Sequence, residues 1–219
     1  MNPIQFIFAN WDTLGPQVVT HIEIVVISMA VAGVLGLLLG VAAARWNGFA
    51  RVVLAVTSTI LTVPSFALFG LLSIYLGLGN PPVIAGLILY ALLPIVRNTR
   101  TGIAAVAPAV TEAARSMGMH PGQVLTRVEL PLAAPVILAG LRQATVMIVA
   151  IATVGATVGA NDLGQPILEA VGRSSGSTLD HVLAGIIPVA LLGLLADAIL
   201  AAMQRMLARG RTGIGVGAT

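Results

Sequence analysis

Between Arg51 and Arg97 the chain carries no charged side chain, and the stretch from Ile24 to Ala44 is likewise uncharged. About 20 consecutive apolar residues are enough for a helix to cross the hydrocarbon core of a bilayer, so these two stretches alone demand membrane spans. Composition agrees: 58% apolar and 9% charged residues, with a mean hydropathy of +1.01, leave too little polar surface to coat a water-soluble globule. Small residues are dense, with 24 glycines among 219 residues, as expected where helices approach closely without a hydrophobic force between them. Cysteine is absent, which excludes disulfides and thiolate metal sites.

Five transmembrane helices are expected: Ile22 to Ala44, Val52 to Tyr75 with Pro64 inside, Val83 to Ala104 with Pro94 inside, Leu132 to Val158, and Val182 to Leu207. Each interior proline lacks an amide donor and crowds the preceding turn, so a bend or break is expected at both. The leader holds Asp12 and no basic residue, and the apolar run behind it is too long for a signal-peptide core, so the first helix reads as a retained span. The chain thus divides into an external segment 1–19, a transmembrane domain 20–205 and a tail 206–219.

With five spans, alternate loops share a side. One side then collects Arg45, Arg51, Arg97, Arg100, Arg115, Arg127, Arg205, Arg209 and Arg211, and the other collects Arg173 alone. Positive charge is retained on the cytoplasmic side, which places the N-terminus and the 159–181 loop outside and the 105–131 loop and C-terminus in the cytoplasm. The expected location is a cytoplasmic membrane.

The cytoplasmic loop is polar and sharply punctuated. Pro108 suits the first turn of a helix, Thr111 and Glu112 offer polar groups to its free amides, and Gly118 can end it in a left-handed turn. A second start follows at Pro121, after which Val124, Leu125 and Val128 present an apolar stripe. Two short helices meeting at a glycine would make a rigid knob, with Ala113 and Ala114 small enough to seat in a groove of another protein and Glu112 and Arg115 available for charged contacts there.

The spacing of this loop is Glu112-Ala113-Ala114, three residues, Gly118, nine residues, then Val128-Glu129-Leu130-Pro131. It resembles the EAA loop of permease subunits in bacterial ABC importers, departing only in Val128, where the family usually has Ile. The segments Thr62-Val63-Pro64-Ser65, Leu89 to Thr99 and Leu195-Ala196-Asp197 resemble the osmoprotectant branch, which moves glycine betaine, choline, carnitine or proline betaine; methionine permeases are close cousins. The resemblance implies a type I permease fold whose loop between helices three and four holds a coupling helix, with Glu112, Ala113, Ala114, Arg115, Gly118, Leu130 and Pro131 meeting a separate ATPase subunit. It also implies a second permease subunit, identical or paralogous, and an external substrate-binding protein. ATP and Mg would sit on the ATPase partner, not on this chain.

What is missing fits that picture. No GxxxxGK[ST] phosphate loop occurs, so this chain has no ATPase site of that kind. The run Gly155 to Gly164 reads as helix packing and an external turn, because it ends an apolar helix instead of following a strand. His21 and Glu23, two apart on a helix, point in different directions and cannot share a metal. No catalytic or metal site is expected, and no basic stripe with interleaved aromatics suggests nucleic acid. Pro64, Ser65, Phe66, Phe69 and Tyr90 are the candidate pathway or gate residues. A carrier or channel of a different class would instead use Arg142 and Asp197 as a relay; both lie about ten residues, roughly 15 Å, from the cytoplasmic ends of their helices, so an ion pair between them is expected.

Overall fold

The computed structural model describes residues 3–172 and 178–209, and every regular element among them is helical. In chain order these are α1 (Pro3–Ala9), α2 (Trp11–Arg45), α3 (Asn47–Thr62), α4 (Ser65–Leu76), α5 (Asn80–Ala104), α6 (Pro108–Ser116), α7 (Pro121–Val124), α8 (Leu130–Ala152), α9 (Gln165–Gly172) and α10 (Thr178–Arg209). A π turn, Leu125–Glu129, joins α7 to α8, and a 3₁₀ segment, Thr153–Val158, extends α8. Four runs are long and apolar enough to cross a membrane: α2, α5, the run Pro121–Val158, and Leu179–Met206 within α10. The fifth expected span is the pair α3 and α4, bent by 101°.

Two identical local signals had different outcomes. At Pro64 the helix breaks: Val63 and Pro64 are both extended, as steric crowding before a proline requires. The carbonyl of Val63 is met by the hydroxyl of Tyr90, which donates to it at 2.7 Å. At Pro94 no break occurs, and α5 runs as one helix from Asn80 to Ala104. The difference is in the surroundings. Pro64 is exposed, whereas Leu92 to Val96 are all buried in the middle of the bundle, so packing on both flanks holds the helix through its missing amide.

Close packing of α5 between α2 and α8 is made by glycine. Gly36 and Gly40 of α2 lie directly on Ile95 and Thr99, and a Cβ added at Gly140 of α8 would stand 2.6 Å from the Asn98 Cβ and 2.8 Å from the Pro94 carbonyl. The core beside this seam contains Ile24, Phe69, Leu87, Tyr90, Ile95 and Ile148. A satellite cluster of Ala43, Ala50 and Val96 fastens α2, α3 and α5 together near the α2–α3 corner.

The N-terminal boundary differs from expectation. The first long helix begins at Trp11, not Ile22, and α1 precedes it, so most of segment 1–19 is helical. Gln17 and His21 look like non-membrane residues in the sequence but are buried, the latter with its Nε2 3.1 Å from the Val149 carbonyl, while Glu23 is exposed. Of the arginines used to orient the chain, Arg173 and Arg211 lie outside the described residues, as do residues 210–219 of the tail.

The turn after α8 carries the most unusual ionisable group outside the spans. Asp162 is fully buried; its Oδ1 accepts from the Gly164 amide at 2.7 Å and its Oδ2 has no partner. Gly155 and Gly164 enclose the carboxyl so tightly that a Cβ on either would lie 2.9 Å from one of its oxygens. Burial pushes the Asp162 pKa from its ordinary 3.8 up to about 7. Between these values the folded chain keeps a proton that the unfolded chain releases, so this contribution to stability is complete below about pH 4 and is lost as pH rises to about 7. Asp162→Asn, which never ionises, is expected to flatten that slope and to raise stability at pH 8 by at most about 4 kcal/mol. Thermal unfolding of the purified protein in detergent at several pH values checks this. Equal pH slopes in wild type and variant would contradict it.

Candidate functional site

The loop between α5 and α8 is built as a short helix, a left-handed corner and a re-entry. Ala105 ends α5, and Pro108 opens α6. The expected side-chain caps are not there: the Thr111 hydroxyl donates back to the Pro108 carbonyl at 2.8 Å, and Glu112 is exposed. Proline at the first turn already removes one free amide, which lessens the need for a cap.

The C-terminal end is as the sequence suggested. Gly118 has φ +84°, and the amides of Gly118 and Met119 return to the carbonyls of Arg115 and Ala114 at 2.9 and 3.2 Å. Nothing lies within 4 Å of where a Gly118 Cβ would be, so glycine is required by the backbone angle alone, not by lack of room. His120 then caps the re-entry. Its backbone amide donates to the Gln123 side chain at 2.9 Å, and its Nδ1 accepts from the Gly122 amide at 3.3 Å.

The second helix of the loop is not a separate unit. α7 is four residues long and passes through the π turn directly into α8, so the 38 residues from Pro121 to Val158 form one run. The Leu130 amide reaches back five residues to the Leu125 carbonyl. This wider turn stands immediately before Pro131, whose ring would otherwise crowd the carbonyl of Arg127. The projecting element is therefore α6 and its corner, with Leu130 half-buried and Pro131 exposed at the start of the span.

The two alanines behave differently. Ala113 is exposed, whereas Ala114 is 2% exposed and packed inside the loop, where Val124 is also buried. Ala114 thus holds α6 down, and the outward face is Glu112, Ala113, Arg115, Ser116 and Met117, the last 74% exposed. A face mixing charge of both signs with an unshielded methionine suits a protein contact.

The candidate pathway residues separate into two groups. Phe69 is fully buried against Gly86, and Tyr90 is 2% exposed with its hydroxyl spent on the break at Val63, so both are core residues of this fold. Pro64, half-buried Ser65 and Phe66, which is 65% exposed, remain together on the outside of the α3–α4 corner. Arg142 and Asp197 do meet: Arg142 Nη2 donates to Asp197 Oδ2 at 2.7 Å, and Nε bonds Oδ1. Their side chains retain 39% and 31% exposure, so the pair is not enclosed by this chain alone as expected from the sequence.

One pair had no sequence signal. Glu129, the last residue of the π turn, is 4% exposed, and both its oxygens accept from the guanidinium of Arg45 at the end of α2. The two are 84 residues apart, beyond the reach of any local motif.

Comparison with known proteins places this geometry. Residues 32–209 match the family described as "binding-protein-dependent transport system inner membrane component". The chain belongs to this family. Among curated members, the glycine betaine/carnitine/choline transport system permease OpuCD of Bacillus subtilis is 41% identical over 187 residues, covering 85% of this chain and 81% of the relative. The osmoprotectant import permease OsmW of Salmonella typhimurium is 36% identical, covering 94% and 97%. A solved inward-facing structure of the MetNI methionine ABC transporter aligns with a TM-score of 0.77 at 22% identity, over 94% of this chain and 99% of that one. At that identity it shows a common fold. As a member of the inner-membrane components, this chain is an all-α multi-pass transport subunit with a type I ABC importer permease architecture.

Proposed function

We propose that the chain is the permease subunit of an ATP-driven importer for a compatible solute such as glycine betaine, choline or carnitine. The observation that carries the mechanism is the loop: between the long helices α5 and α8, α6 and the Gly118 corner form a short helical element that presents the exposed Glu112, Ala113, Arg115 and Met117. Such a face is suited to dock on a separate ATPase subunit on the cytoplasmic side, where ATP and Mg bind. Closure of two ATPase subunits would then move two such loops together and switch the path between the permease subunits from inward-facing to outward-facing.

The solute class rests on the relatives' names and not on a binding site within this chain. Phe69 and Tyr90 are committed to the core, and the cavity of about 500 Å³ between α2, α8 and α10 is lined by His21, Val25, Met29, Leu141 and Leu192 among other mainly apolar groups. Neither arrangement offers the aromatic cage that captures quaternary ammonium groups. Selection is therefore assigned to an external substrate-binding protein that delivers cargo to a dimer of permeases.

The deciding experiment is purification of the tagged chain with its neighbouring ATPase, followed by reconstitution in proteoliposomes with the cognate binding protein. The expected result is a stoichiometric ATPase subunit and uptake of a betaine that needs internal or external ATP on the ATPase side. Uptake driven by an ion gradient without ATP would replace this reading with a secondary carrier. ATP-driven uptake of methionine instead of betaines would keep the permease and change the solute.

A further inference from the structure

We propose that the Arg45–Glu129 ion pair is the tie through which movement of the docking loop reaches α2, making both residues positioning residues for coupling. The inference rests on the docking role of α6. The chain itself connects α6 to α5 on one side and, through α7 and the π turn, to α8 on the other. It makes no such connection to α2, which ends at Arg45, 63 residues before α6 begins at Pro108. Glu129 supplies the connection.

Three features suit the pair to transmit movement. Glu129 is the last residue of a π turn, which inserts one residue into the helix and so rotates the loop-side turn by about 100° relative to an uninterrupted α8. Both carboxylate oxygens are engaged by two guanidinium nitrogens, and this planar fork resists rotation in a way that a single contact would not. Arg45 stands at the stiff end of a 35-residue helix, and the chain turns to extended geometry at Trp46, immediately beyond it.

What lies behind Arg45 is also rigid. Ala43, Ala50 and Val96 join α2, α3 and α5 at this end, and Arg100 Nη2 donates to Asn47 Oδ1 at 3.4 Å. Gly36 and Gly40 set α2 directly on α5. Force applied at the loop is thus shared by α5 and α8 through the backbone and by the α2–α3 corner through Glu129. With Glu129 buried and Arg45 exposed, the ion pair contributes little net stability, so the fixed geometry is what it adds.

The absence of cysteine allows the tie to be broken and remade in one protein. In the complete importer, Glu129→Gln and Arg45→Gln are expected to assemble with the ATPase at normal yield and to keep basal ATPase activity. Stimulation of that activity by betaine-loaded binding protein should fall by about tenfold, within the range that coupling between distant sites commands. The double variant R45C/E129C should be uncoupled when reduced and recover stimulation when its two thiols are joined by a bifunctional methanethiosulfonate, released again by dithiothreitol. The same molecules are compared in each state, so a folding defect is not mistaken for lost coupling. Undiminished stimulation in both Gln variants, or a reduced double variant as well coupled as wild type, would overturn the tie. So would uncoupling that the cross-link leaves unrepaired. If the wild-type chain carries no ATPase, the docking reading itself fails, which is a separate outcome.

Discussion

Replacing Gly118 with valine is expected to abolish uptake while leaving the chain inserted and folded. Gly118 is the corner of the docking loop with φ +84°, and a β-branched residue there costs roughly 1–3 kcal/mol of backbone strain. That cost is small against a bundle of membrane helices but large against one short loop, so the corner will move into a permitted region and re-aim α6. Open space around the missing Cβ makes the test clean, because no clash accompanies the strain. Gly118→Asn should therefore transport well, since asparagine tolerates the left-handed region. Glu112→Lys, on the exposed face of α6, should lose the ATPase subunit on purification with no change in thermal stability. Uptake by Gly118→Val at the wild-type rate, with the ATPase bound, would remove the loop from the coupling path.

The loop was legible in the sequence because its signals are local. Pro108, Gly118 and Pro121 act on the chain within one turn of themselves, and Gly118 adopts the left-handed angle for the reason that selects glycine there. Signals that depend on neighbours were not. Pro64 and Pro94 have the same covalent effect, yet only the first breaks its helix, because α2 and α8 press on the second. Ala113 and Ala114 are adjacent and identical, and the fold turns one out and buries the other. Tyr90 and Phe69 were candidates for a pathway on account of being aromatic; their place was decided by a broken helix 27 residues away and by Gly86 opposite. The start of α2 was obscured by polar His21, which the fold buries with its Nε2 against the Val149 carbonyl of α8.

The Arg142–Asp197 pair belongs to the legible set, because charge is so costly within a span that two opposite charges at equal depth have little choice but to meet. It is expected to be the largest single electrostatic contribution to holding α8 on α10. Gln204 Nε2 donates to the Pro135 carbonyl at 3.0 Å, and both partners lie seven residues from the ion pair along their helices, so the two contacts share one antiparallel register. Removing one charge leaves the other unpaired within a span, which is destabilising. The residual exposure of 39% and 31% lowers that cost wherever water or a second permease subunit reaches the pair. Arg142→Met and Asp197→Leu are each expected to reduce the yield and thermal stability of the assembled importer, whereas the double variant should regain most of the loss, since two apolar side chains remove the unpaired charge and still pack. Arg142→Asp with Asp197→Arg should restore uptake lost in either single reversal, provided the pair serves to pin the helices. If the apolar double variant is stable and assembled but cannot transport, the charges are needed for more than packing, and a relay role for the pair gains ground over a structural one.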